Sequence, residues 1–276
     1  MSSLEFRWCR AKQTHSGPSF YLPQTGGSMR FFVSPEYISR QENLIKIIDK
    51  KEVHHIRDVL RLKEGVEVTV FDGSGNDYIG NIKHIDKSNI LITISKIVSS
   101  VWRPYFNIRL YQAIPKKGKM DYIVEKVTEL GINVIVPIFT ERTIPDENVS
   151  IQKKIERWYR IAKASSKQCG RSDIPQILDP VDFNTAIKKA KPSDLVILAA
   201  LDREARPLPD IIKNKSFKDI SIFIGPEGDF SPNEVFLARQ SGCEICSLGR
   251  LVLKVDTAAI FIISCINYET MNARVT

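Results

Sequence analysis

Apolar residues alternate with polar ones in short runs along the early part of the chain. MRFFV at Met29, NLIKIID at Asn43, VEVTVF at Val66, DYIGNIK at Asp77 and ILITISKI at Ile90 each read as a strand. Between the second and third runs lies KKEVHHIRDVLRL, where Val53, Ile56, Val59 and Leu60 predict the apolar face of one short helix. Gly73 and Gly75 in DGSG suit a hairpin turn, because glycine enters left-handed backbone conformations without steric cost. Five short strands and one helix predict a small β-barrel over residues 29–100.

Beyond Phe106 the period changes. NIRLYQAI, MDYIVEKVTEL and VIVPIF predict strand, helix and strand, and a long helix starts at Ile151. That rhythm favours an α/β domain over residues 101–276, with a mainly parallel sheet covered on both faces. In the long helix Ile151, Ile155, Trp158, Ala162, Ser165 and Cys169 form one stripe, which makes Trp158 a core or subunit-contact residue rather than a stacking platform. SSVWRPY is the expected link between the two domains. Residues 1–28 are polar and rich in Gly, Ser and Pro, the composition of a disordered extension, with an organellar transit peptide as the lesser reading.

The stretch from Ser221 to Ala259 is the most structured in its signals. Ile222 to Ile224 reads as a buried strand that Gly225, Pro226 and Gly228 cut short, leaving Glu227 and Asp229 on a bend. Ser231, Pro232 and Glu234 then spell a helix start, with a capping serine, a proline in the first turn and the reciprocal glutamate. Glu244 to Leu248 reads as a second strand, broken at Gly249. The chain passes through LVLK to Asp256 or Thr257, either of which is placed to cap the apolar helix AAIFIISCINYETM. Open α/β sheets hold ligands at the carboxyl ends of their strands, so both loops lie where a pocket forms. The phosphate cradle GxxxxGK[ST] is absent. A plain tight turn at GPEG competes with the pocket reading.

Charge narrows the partners. Forty Lys and Arg against 32 Asp and Glu give a net +8, which favours phosphate-rich ligands or a merely Lys-rich surface. His54, Arg57 and Arg61 fall roughly together outside the short helix, and Lys116, Lys117 and Lys119 crowd the loop before MDYIVEKV. Lys153, Lys154, Arg157, Arg160, Lys163 and Lys167 occupy the outer surface of the long helix. Each cluster suits a nucleic-acid backbone, and each has a solvated face as its alternative. No apolar run reaches membrane-spanning length. Five scattered cysteines suit reduced thiols of the cytoplasm, and the CxxC at Cys243 lacks the second ligand pair that a metal site needs.

IGPEGDFSPNEV and LGRLVLKVDTAAI resemble the signature segments of the SPOUT methyltransferases, specifically the ribosomal RNA small subunit methyltransferase E family. FFVSPE, VHHIRDVLRLKEG, VTVFDGSG, PKKGKMDYIVEKVTELGI, TERT and KQCGRSDIPQI are similar to that family in its own order, so the resemblance covers residues 29 to about 265. It implies a PUA-like RNA-binding barrel followed by a trefoil-knotted SPOUT domain that binds S-adenosylmethionine and works as a homodimer. It further implies methylation of uridine nitrogen-3 in 16S ribosomal RNA of the small subunit, in the cytoplasm and without a metal. Carried onto this chain, the cofactor-binding positions are Leu198, Ala200, Gly225, Pro226, Glu227, Gly228, Leu248, Gly249, Leu253 and Thr257. Glu227 is expected to face the cofactor's ammonium or the substrate. The RNA-binding positions are Arg30, His54, Arg57, Arg61, Lys116, Lys119 and Lys163, and the catalytic ones Lys254, Arg142 and Asp256. Asp256 serves as a base or, the favoured reading, as a structural cap.

The second loop departs from the family pattern Leu-Gly-x-Arg-Ile-Leu-Arg-x-Glu-Thr-Ala. Leu251 removes one cation, Lys254 keeps a charge without the planar fork of arginine, and Asp256 shortens the carboxylate arm. Two rival functions stay open: a SPOUT enzyme with another RNA target, and a non-catalytic RNA-binding or ribosome-assembly protein.

Overall fold

The computed structural model describes residues 29–99, 106–116, 118–143, 150–213 and 217–272. The expected extension over residues 1–28, most of the linking stretch, and Lys117 lie outside the described residues.

The early alternating runs pair as expected, with one strand more than the pattern showed. β1 (Arg30–Phe32), β2 (Ile38–Ser39), β3 (Leu44–Ile47), β4 (Glu67–Phe71), β5 (Asn76–Ile85) and β6 (Ile90–Ser99) form a sheet in the order β1-β4-β5-β6-β3-β2. The β1–β4 pair is parallel and the rest are antiparallel. Phe31, Ile45, Val68, Ile82 and Ile92 fill the interior. α1 (Lys50–His54) is capped by Asp49, whose carboxylate accepts from Lys51 and Glu52 amides, and it continues as a π-helical turn over His55–Val59. The expected single helix is therefore a short α turn widened into a π turn. Gly80 lies against the neighbouring strand: a Cβ there would stand 2.3 Å from the Thr93 carbonyl oxygen. Gly80→Ala is expected to destabilise the fold by about 3 kcal/mol, a fall of roughly 6–12 °C in Tm by calorimetry, because backbone rather than a flexible side chain must yield.

The second sheet is parallel in every pairing of the described residues. Its strands are β7 (Asn107–Ala113), β8 (Val134–Phe139), β9 (Gln176–Ile177), β10 (Val181–Asp182), β11 (Leu195–Ala199), β12 (Arg206–Pro207), β13 (Asp219–Ile224) and β14 (Glu244–Ser247). The order is β10-β8-β7-β13-β11-β14-β12, with β9 on β8. Near-continuous apolar strands such as DISIFI follow from burial on both faces. One face packs α2 (Lys119–Glu129), α3 (Ile151–Cys169), α5 (Leu208–Ile212) and α7 (Val255–Asn272); the other packs α4 (Phe183–Ala190) and α6 (Pro232–Gln240). Trp158 is 3% exposed and belongs to the first of these cores. On the opposite face Tyr111 stacks on Phe223 with ring centroids 4.4 Å apart.

Candidate functional site at the carboxyl edge of the parallel sheet

Five strands of this sheet, β7, β8, β11, β13 and β14, release loops at one edge, and polar contacts lace four of those loops together. Gly225 ends β13 where a side chain has no room, since a Cβ would lie 3.2 Å from both the ring and the amide of Phe230. Asp229 takes the left-handed conformation at φ 61°, which Asp tolerates better than most residues. Its amide donates to the Pro226 carbonyl at 2.9 Å. Its carboxylate accepts from the Phe230 amide at 2.8 Å and from the Leu201 amide at 2.7 Å, binding the GPEG bend to the loop after β11. Arg142, in the loop after β8, donates to the carbonyls of Gly228 at 2.5 Å and Phe230 at 3.3 Å. Glu227 accepts from Lys119 Nζ at 3.0 Å and from the Lys116 amide at 3.2 and 3.3 Å, joining the loop after β7.

The start of α6 carries the expected capping box. Ser231 Oγ accepts from the Glu234 amide, and the Glu234 carboxylate accepts from the Ser231 amide at 2.8 Å. Its other oxygen takes the Glu141 amide at 3.0 Å, so the same carboxylate also anchors the Arg142 loop.

The loop after β14 forms the second wall and is open. Gly249 has φ 125°, and beyond it Leu251 and Val252 stand 79% and 75% exposed. Leu201, on the loop between the two walls, is 68% exposed. Lys254 is exposed, immediately before α7, and its carbonyl accepts from the Ala258 amide at 2.8 Å. Asp256 and Thr257 sit inside the first turn of α7. The helix thus begins two residues earlier than a cap at Asp256 predicts, with Lys254 in the capping place, so the Asp256 cap reading is corrected. Asp256 Oδ1 is shielded from solvent and has no hydrogen-bond partner among the described residues. Leu198 points into the core at 0% exposure, while the Ala200 amide ties β11 to β14 through the Cys246 carbonyl at 3.1 Å.

Charge on the GPEG wall is paired: Glu227 meets Lys119. Burial alone would raise the Glu227 carboxyl, but the Lys119 ammonium and the amides outweigh it and hold the group below its ordinary value of 4.5. Glu227 and Lys119 therefore face each other at the exposed sheet edge. A depressed carboxylate stabilises the fold above its ordinary pKa and loses that contribution as pH falls through its folded value. Glu227→Gln is expected to lower Tm near neutral pH, with the gap to the parent closing as pH falls below the ordinary carboxyl value of 4.5 and through the depressed folded one. Burial pushes the thiols of Cys243 and Cys246 up to about 11 and about 12, values of inert, protonated cysteines.

On the barrel, His54 and Arg57 converge on Asp58, which accepts from Arg57 Nε and Nη2 at 2.8 Å and meets His54 Nδ1 at 2.7 Å. Those contacts hold the Asp58 carboxyl at about 2. Arg57 and Arg61 line a cavity of about 660 Å³ with Lys63 and Glu64, away from the strand ends of the parallel sheet. Arg61 stands in the left-handed region at φ 52°. Arg30 and Lys163, expected on RNA, are taken up between the domains: Arg30 pairs with Asp77, and the Lys163 ammonium lies over the Phe32 ring. Asp229, placed on the bend by the sequence, is not among the expected site positions; its part in tying the bend to the loop after β11 depends on the distant Leu201 amide.

Residues 103–267 match the RNA methyltransferase domain model, and residues 48–95 match the RNA methyltransferase PUA domain model. A relative from Aquifex aeolicus, ribosomal RNA small subunit methyltransferase E, is 33% identical over 237 residues, 86% of this chain and 98% of its own. This chain belongs to the ribosomal RNA small subunit methyltransferase E family. A Synechocystis member is 28% identical over 92% of this chain and 80% of its own. The Neisseria gonorrhoeae member, solved bound to S-adenosyl methionine, superposes with TM-score 0.76 at 26% identity, covering 87% of this chain and 97% of that one. Among the described residues, no helix is long and apolar enough to cross a membrane, and no group of three or more His, Cys, Asp or Glu is arranged to hold a metal.

Proposed function

We propose that this chain transfers the methyl group of S-adenosylmethionine to nitrogen-3 of a uridine in 16S ribosomal RNA of the small subunit, as a cytoplasmic homodimer. Residues 29–100 hold the RNA and residues 101–276 carry the chemistry. The observation that carries the reading is the laced set of loops over the strand ends, opposite an open loop bearing Lys254 and Asp256.

The residues fit the cofactor. Backbone at Gly225, Pro226, Gly228, Leu248, Gly249 and Leu253 is presented at the sheet edge, and open apolar side chains at Leu201, Leu251 and Val252 suit a planar adenine. When bound, S-adenosylmethionine supplies an already activated methyl group. The protein's share is orientation and charge. A uracil nitrogen between two carbonyls must lose its proton before its electron pair is available, so the anion spread over the carbonyl oxygens needs a cation. Lys254 is placed to supply it, with Arg142 as the second candidate. Asp256 Oδ1, unpartnered and shielded, is the nearest carboxylate along the chain that can take the proton. Nitrogen gains the methyl, the sulfonium's bond electrons return to sulfur, and one proton is released. Orientation alone contributes about 7–11 kcal/mol in favourable cases. Phe261 and Tyr268, 41% and 68% exposed on apolar α7, support a face covered by a second copy.

The test is methyl transfer to small subunits from cells lacking this protein, read by nucleoside mass spectrometry. The reading requires 3-methyluridine in the product; methylation of ribose, of another base or of transfer RNA instead would move the chain to a different RNA target.

A further inference from the structure

We propose that Arg30, Lys163 and Lys167 are positioning residues that lock the barrel onto the catalytic domain as one body, so that RNA held by the barrel meets the methyl-transfer site at a set reach. The inference rests on the function proposed above. Each residue of β1 is engaged from the other domain. Arg30 forks onto Asp77 at 2.6 and 3.0 Å and donates across the junction to the Arg171 carbonyl at 2.9 Å and Ser172 Oγ at 3.0 Å. The Lys167 ammonium lies 5.1 Å from the Phe31 ring centre and 2.9 Å from both carboxylate oxygens of Glu52. Lys163, one turn earlier on α3, lies 4.6 Å from the Phe32 ring centre.

Backbone completes the junction. The Gly75 amide donates to the Ser172 carbonyl at 3.0 Å, and the Ile174 amide donates to the Gly73 carbonyl at 3.3 Å. The contact continues inward, because Arg171 is 8% exposed, holds Asp173 and donates to the Thr128 carbonyl in α2 at 2.8 Å. The opposite end of α2 carries Lys119, which grips Glu227 of the GPEG bend. Cations on a helix facing a polyanion would ordinarily be left for phosphate. Here two of them are spent on ring faces and a carboxylate, an arrangement that orients domains rather than binds RNA.

Ser74 and Asp173 form a backbone bridge, so cysteines at both positions lie within disulfide range. In a chain carrying Ser74→Cys and Asp173→Cys, the further changes Arg30→Ala, Lys163→Ala and Lys167→Ala are made. Transfer to small subunits is measured with the pair reduced and oxidised, and S-adenosylmethionine binding is measured by calorimetry. The expected result is a loss of about tenfold or more in kcat/KM when reduced, with cofactor Kd within about twofold of the two-cysteine parent, and recovery of most of the loss on oxidation. No loss when reduced would overturn the proposal. So would a loss that oxidation leaves in place while cofactor binding persists, since that is the signature of lysines touching RNA directly. Should the alanine variant not fold, Lys163→Met with Lys167→Met keeps both stems over the rings and is judged by the same outcomes. A parent protein that transfers no methyl refutes the proposed function instead.

Discussion

Lys254→Ala is expected to lower kcat by about 10²- to 10³-fold while cofactor Kd changes by less than about threefold. The cation stands exposed at the entrance to α7, on the open wall, and the residue's tie to the helix is made by its carbonyl, which accepts from the Ala258 amide and which alanine retains. Folding and the first turn of the helix should therefore survive. A charge that acts on the developing uracil anion is felt in turnover; one that merely attracts RNA is felt equally before and during the reaction. Steady-state kinetics with small subunits separates the two. A raised KM with kcat intact would remove Lys254 from the chemistry. Lys254→Arg should match or exceed the parent, because it restores the family's planar fork at the same position.

Arg142→Ala should act first on the cofactor. Its guanidinium crosses from the loop after β8 to the carbonyls of Gly228 and Phe230 on the GPEG bend, and both bonds vanish together. Hydrogen bonds to a charged group contribute about 1.5–3 kcal/mol each, so a rise of at least about tenfold in cofactor Kd is expected, with kcat falling as well. Both bonds leave the single Nη1, so Arg142→Lys should recover part of the loss wherever its ammonium reaches the same point. Calorimetry decides: unchanged cofactor affinity with a lost kcat would make Arg142 a charge acting on substrate and not the strut of the bend.

Local features were legible and distant pairings were not. The capping box at Ser231 and Glu234 was readable because every part of it lies within four residues, and the hairpin at Gly73 for the same reason. The alternation of strands and helices revealed a parallel sheet, and motif order revealed the family. The start of α7 was misplaced because Asp256 and Thr257 look like caps, whereas Val255 is buried and the helix already begins there, two residues before a cap at Asp256 would place it. Pairings of basic residues with remote partners were not read. Lys167 meets Glu52 across 115 positions, Arg30 meets Ser172 across 142, and Lys119 meets Glu227 across 108. No period or spacing encodes such pairs, so a sequence reader assigns every exposed cation to solvent or RNA.

The strand order carries a consequence for how the protein is made. The barrel's central strands β4, β5 and β6 pair with their neighbours in sequence, whereas in the parallel sheet β13 lies between β7 and β11, and β14 lies beyond β11. Contacts between near neighbours form early, and those between distant segments are slow because long loops must close first. During synthesis the barrel can therefore be complete while the parallel sheet still awaits its later strands, and Lys254 and Asp256 enter only after the last of them. On the function proposed above, a partly made chain is a binder before it is an enzyme. Any arrest late in translation, or a truncation ahead of α7, should leave a product that competes for the ribosomal substrate without modifying it.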